Sequence, residues 1–155
     1  DYDIQLISTS KAKIVKYHGT FQELEVPSYV IYNGKKYIIT EIGSGCFSNN
    51  ANLRTIVLPK TIEIIEKYAF LGCTQLTKIN IPFDVTKIGE GAFQHCCQLT
   101  SIYILCLVKE IEQYTFWGCK NLREIHISYA TTIHKDAIGR PSWGDVHPDL
   151  KIYQH

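Results

Sequence analysis

Four phenylalanines stand on a ruler: Phe47, Phe70, Phe93 and Phe116 follow one another at intervals of 23 residues. A fixed period in this range marks a solenoid, one short supersecondary unit stacked on copies of itself. Such a unit cannot bury its apolar face alone. Its neighbours supply the burial, and stability becomes a nearest-neighbour property.

Other positions keep the same ruler. Six residues after each Phe come Leu53, Leu76, Leu99 and Leu122, and nine after it come Ile56, Ile79, Ile102 and Ile125. Eleven after it come Leu58, Ile81, Ile104 and Ile127. The result is L-x-x-I-x-I/L four times, the strand segment of a leucine-rich repeat. Its last three positions alternate with period two, as a strand with one buried face requires. Ile62, Val85 and Val108 follow at fifteen, and Ile65, Ile88 and Ile111 at eighteen. The fold expected is mainly β: a right-handed leucine-rich-repeat solenoid of about five units with short turns or helical segments.

The ends depart from the pattern. Leu24-x-Val26-Pro27-x-x-Val30 copies Ile79-x-Ile81-Pro82-x-x-Val85, but nine extra residues then enter before Ile42. They contain Asn33-Gly34, a strong signal for a type I′ hairpin. Residues 1–45 are expected to be a β-rich N-terminal cap that protects the first edge strand. The 23-residue repeats then run over 46–138. Near their end, Ile133, Ala137 and Ile138 echo the pattern one residue early. Residues 139–155 read as a C-terminal partial repeat, with Leu150-x-Ile152 as a last inward pair and Trp143 closing the core. The whole is expected to be a single domain. With no Met and Asp1 in first place, the chain reads as a mature or trimmed product, so the absence of a visible signal peptide says nothing of secretion.

These residues resemble the BspA-like, or Treponema-type, leucine-rich repeats. The resemblance rests on Ile88-Gly89-Glu90-Gly91-Ala92-Phe93 with Cys96 and Leu99, on Ala69-Phe70-Leu71-Gly72-Cys73 with Leu76, and on Ile79-Asn80-Ile81-Pro82 followed by Val85. There are departures: Leu105 and Ser128 replace Pro, Thr115 replaces Ala, and Asn50 stands where Cys is expected. The asparagine of ordinary leucine-rich repeats is missing, with Thr61, Asp84, Leu107 and Ala130 in its place. The resemblance implies a surface-exposed or secreted protein, with roles in adhesion and in binding host proteins. It implies no catalytic residues.

Net charge is +1, so no basic field invites nucleic acid. No apolar run is long enough to insert in a membrane. Six cysteines raise the question of a metal site, yet Cys73, Cys96 and Cys119 each fall three residues after a Phe. They are repeat positions, spread over separate rungs, and a buried thiol is a good small hydrophobe. A disulfide between rungs is awkward, because stacked Cβ atoms stand about 4.8 Å apart against a usual ~3.5–4.5 Å. Cys97 and Cys106 are the candidates for exposure. No cofactor and no metal are expected. Nucleophile elbows and phosphate-cradling glycine loops are missing, and carboxylates such as Glu63, Glu66 and Glu112 read as solvated.

That leaves the outward positions of the strands. The middle outward row is Val57, Asn80, Tyr103, His126 and then Lys151, flanked by Thr55, Lys78, Ser101 and Glu124. Strand spacing of about 4.8 Å makes each row a continuous stripe. Tyr103 and His126 are the expected anchors for a protein partner. The alternative is a solvated face in a structural spacer with no ligand of its own.

Overall fold

The computed structural model describes residues 1–139 and 145–155. The expected contribution of Trp143 lies outside the described residues. The chain winds as a coil with two strand seams per turn. The first seam orders β1 (Tyr2–Leu6), β2 (Lys11–Tyr17), β5 (Lys35–Ile42), β7 (Ile64–Ile65) and β9 (Lys87–Ile88), with β4 (Tyr29–Tyr32) paired to β5. It resumes as β11 (Glu110–Ile111) and β13 (Thr132–Ile133). The second seam orders β3 (Glu23–Glu25), β6 (Thr55–Val57) and β8 (Lys78–Ile79), then β10 (Ser101–Ile104), β12 (Glu124–Ile127) and β14 (Lys151–Gln154). Pairing along the repeats is parallel, as stacked copies of one unit must be.

The inward positions of the sequence are the core. Leu53, Ile56, Ile65, Leu76, Ile88, Leu99, Ile102, Ile111, Leu122 and Ile125 are all sealed from solvent. The Phe rings stack as a column, with centroids 5.1, 5.4 and 5.9 Å apart and planes within 4–7°. Tyr17 and Tyr2 prolong it at the N-terminal end, at 5.3 and 5.2 Å. The cysteines at the third position do more than fill space. Each thiol donates back one turn to a Phe carbonyl: Cys73 to Phe47 (3.1 Å), Cys96 to Phe70 (3.3 Å) and Cys119 to Phe93 (3.0 Å). Asn50, which replaces Cys in the first repeat, reaches back in the same way with Nδ2 toward Gly19 O at 3.4 Å.

Both seams lose their ladder at the same level, between β8 and β10 and between β9 and β11. The Phe turn does not. There Gly91 N donates to Gln113 O, Phe93 N to Thr115 O and His95 N to Trp117 O, so the turns stay hydrogen-bonded across the break.

No helix occurs among the described residues, which corrects the expectation of helical segments. The reason is local. Two residues before and two after each Phe the backbone is left-handed: Gly45, Tyr68, Gly91 and Tyr114 on one side, Asn49, Gly72, His95 and Gly118 on the other. Such residues end a helix, and their amides together with that of the Phe donate to the next turn, while the amides in between close back three residues. Large and small alternate along both rows. A Cβ on Gly91 would sit 2.5 Å from the Tyr68 ring, and one on Gly118 would overlap the His95 imidazole.

The Asn33-Gly34 hairpin forms as read. Both residues have positive φ (50° and 73°), and Tyr32 pairs with Lys35. The early echo near the end is also found, since Ile133 pairs with Ile111 at a spacing of 22.

Candidate functional site

The outward face of β10, β12 and β14 carries a second stacked column. Parallel register places Tyr103 beside His126 and His126 beside Tyr153. Ring centroids are 4.2 and 4.7 Å apart, with planes within 8° and 11°. Tyr103 is 53% exposed, whereas the His126 side chain keeps only 12% because a tyrosine covers each face. His126 Nε2 lies 3.3 Å from Glu124 Oε2, and its Nδ1 lies 2.9 Å from His155 Nε2.

This register corrects the end of the expected row. Ile152, not Leu150, pairs with Ile125, so Lys151 falls beside Glu124 and Tyr153 takes the middle position. The slip is two residues. It keeps every side chain on its own face, so alternation alone did not distinguish the two registers. Lys151 thus extends the flanking row of Thr55, Lys78, Ser101 and Glu124. Tyr153 and His155 are the site residues that sequence reasoning missed. Counting back from Ile152 as the partner of Ile125 would have found them.

The row is not one stripe. Val57 is exposed at its far end, 53% accessible. Asn80 follows β8 and spends its amide on the fold: Leu58 N donates to its Oδ1 at 2.8 Å, and its Nδ2 donates to Leu58 O at 2.9 Å. The side chain stands in for a strand ladder there, which leaves its polar atoms engaged. An open cleft of about 450 Å³ lies along Thr55, Ile56, Val57, Lys78 and Asn80, at the edge of Glu23. Val57, Asn80 and Lys78 therefore belong to that cleft, while Tyr103, His126, Ser101 and Glu124 belong to the aromatic block.

Cys106 is buried, contrary to expectation, because alternation continues past β10 and turns positions 104, 106 and 108 inward. Burial pushes the thiols of Cys46, Cys73 and Cys119 up to about 12. Cys73 and Cys119 keep their protons and donate them to Phe carbonyls in the core. Cys97 is partly exposed. The carboxylates Glu63 and Glu66 are paired rather than simply solvated, with Lys11 at 2.7 Å and Lys13 at 2.8 Å. No helix among the described residues is long and apolar enough to cross a membrane.

Comparison with known proteins fits this architecture. A sequence model of the BspA type leucine rich repeat region matches residues 40–141 in six copies. No curated protein matches the chain. Among solved structures, a leucine-rich repeat protein of Bacteroides ovatus superposes with a TM-score of 0.79 at 25% identity, over 99% of this chain and 39% of that one. The T. pallidum leucine rich repeat protein gives 0.74 at 21%, over 99% of this chain and 61% of its own. A leucine rich cell surface protein of Faecalibacterium prausnitzii gives 0.70 at 22%, over 99% and 48%. The chain thus spans less than two thirds of the length of each of these structures.

Proposed function

This chain belongs to the family of BspA-type leucine-rich repeat proteins, and from that premise we propose that it is a non-enzymatic protein-binding or adhesion module of a cell-surface or secreted protein. Repeats of this type are protein-interaction scaffolds, and solenoids bind through extended faces of stacked strands. The observation that carries the reading is the Tyr103–His126–Tyr153 column. Three rings held in register across adjacent strands give a rigid surface of aromatic and polar edges, which loses little side-chain entropy when a partner docks.

In this reading the coil is right-handed, and residues 1–155 act as one unit. Residues 1–45 are its N-terminal cap, 46–138 its repeats and 139–155 its closing partial repeat. Three features support a cap: β1 and β2 extend the first seam, β1 pairs with β2 antiparallel, and Tyr17 and Tyr2 cover the end of the Phe column. The partner is a protein, with host extracellular or surface proteins the leading class. Nucleic acid is disfavoured by the near-neutral charge.

The test is biolayer interferometry against extracellular-matrix proteins, mucins and glycans. Saturable binding is expected to survive in the wild type and to fall at least tenfold in the Tyr103→Asp/His126→Asp variant, with a folded circular-dichroism spectrum in both. Unchanged affinity in the variant sinks the assignment of the face. A second reading, a spacer that presents another domain, is favoured by the greater length of the similar structures. It gains if no partner on the panel binds.

A further inference from the structure

Where the outward column meets the end of β14, two imidazole nitrogens face each other. His126 Nδ1 and His155 Nε2 are 2.9 Å apart, with ring centroids at 5.2 Å and planes within 21°, so the rings meet edge to edge. The state of His126 follows from its other nitrogen. Glu124 Oε2 lies 3.3 Å from Nε2, and an ionised carboxylate only accepts, so neutral His126 donates there and carries its lone pair on Nδ1. That lone pair is aimed at His155. Tyr103 and Tyr153 hold the ring plane from both faces. His155 is placed through its backbone: its N–H donates to Ile127 O at 3.0 Å, and its carbonyl accepts from Tyr129 N–H at 2.9 Å.

We infer that His126 Nδ1 and His155 Nε2 are the two protein ligands of a binding site for an imidazole-seeking divalent cation of the zinc, copper or nickel class. Imidazole nitrogen is the ligand these ions share. A tetrahedral zinc with bonds of about 2.0–2.1 Å sets two nitrogens about 3.3 Å apart. The N···N distance is close to that spacing, but the His126 lone pair lies along the N···N line, so the exposed His155 ring must swing off that line for both lone pairs to meet at the ion. His155 is exposed and supplies the tilt that turns its lone pair onto the ion. Its proton moves from Nε2 to Nδ1, so the ring stays neutral and no oxidant or reductant is involved. Glu124 is not a ligand. It is the outer carboxylate that fixes the tautomer of a metal-bound histidine, and Lys151 flanks it in the strand register.

Among the described residues no third side chain of metal-binding type converges with the pair. The remaining coordination positions fall to water, or to a side chain of whatever docks on this face. The site itself does not depend on that docking.

The experiment uses the full chain carrying Cys97→Ser, which removes the one thiol that is not buried. Zinc chloride is titrated at pH 7.5 by calorimetry, with long-range proton–nitrogen spectra of the histidine rings. The expected result is one saturable site, with zinc-induced shifts at His126 Nδ1 and His155 Nε2. His155→Ala should weaken binding at least tenfold, and Glu124→Gln several-fold with unchanged stoichiometry. Binding should weaken sharply at pH 5.5, because ligand nitrogens must be unprotonated. No saturation below roughly 1 mM zinc overturns the site. So does an affinity within twofold of the parent in His155→Ala, or shifts confined to His18, His95, His134 or His147.

Discussion

The protein holds two stacked aromatic columns, one inside and one outside, and their difference is instructive. The inner column is Phe on every rung, at 5.1–5.9 Å, sealed from water. The outer column runs Tyr103, His126, Tyr153 at 4.2 and 4.7 Å, with Tyr103 half exposed. Both inherit their geometry from copies of one unit stacked in register, the outer column through parallel strands and the inner one through the turn-to-turn hydrogen bonds of the Phe turns. Repetition therefore explains the stacking in each. Only the inner column also repeats its residue, because the volume to be filled recurs with each turn. The outer column is periodic in position and variable in chemistry, because no recurring volume has to be filled on the solvent side.

The sharpest way to separate the columns is thiol chemistry. Burial lifts Cys73 and Cys119, which line the inner column, from 9.0 to about 12. Three pH units correspond to about a thousandfold less thiolate at a given pH near neutrality. In an Ellman's assay of the native protein, Cys97 should react first and the buried thiols only with unfolding. Simultaneous labelling would mean the interior is open. Truncation comes next. Phe93→Ala should destabilise by about 3–5 kcal/mol, against about 1 kcal/mol for Tyr103→Ala, which removes one partly exposed ring contact. Urea denaturation measures both, and equal losses would erase the distinction between core and face.

The left-handed rows give a smaller effect. Gly118→Ala forces a side chain at φ 75° and into the His95 ring, with an expected cost of about 2 kcal/mol. Adding His95→Ala should recover the steric part alone. Surface charge gives the least. Burial, reinforced by Glu66 and Glu63, raises the Glu41 carboxyl above its ordinary 4.5 despite Lys13. A raised carboxyl is destabilising when ionised. Glu41→Gln should thus stabilise at pH 7 by a few tenths of a kcal/mol, the group being partly exposed. The gain should vanish below the ordinary carboxyl range, where both states are protonated.

Much of the fold was legible because its determinants are periodic. The Phe ruler, the inward Leu and Ile positions and the Asn33-Gly34 turn each carry their geometry in residue type and spacing. The break in both seams between the second and third strand levels was not legible, since Ile79 and Ile102 read alike in sequence. Nor was the fate of Asn80, whose exposed position concealed an amide bound to Leu58 on both sides. For the candidate site, alternation gave the faces and the pairing of Tyr103 with His126. It failed at β14, where a loop of irregular length left two registers with the same facing, and there Tyr153 and His155 were lost from view. The shielding of His126 was missed for the same reason, because one of its two covers was not known to be there.

The alternation of glycine with bulky residues around each Phe has a consequence for how such a chain can lengthen. Tyr68 rests where Gly91 leaves room, and His95 where Gly118 does. Neighbouring turns are thus not interchangeable, and the unit that tiles without conflict is a pair of turns, 46 residues long. Excising one turn would bring ring against ring at the seam, whereas excising two would restore ring against glycine. Genetic gain and loss of repeats in this molecule should therefore proceed by twos.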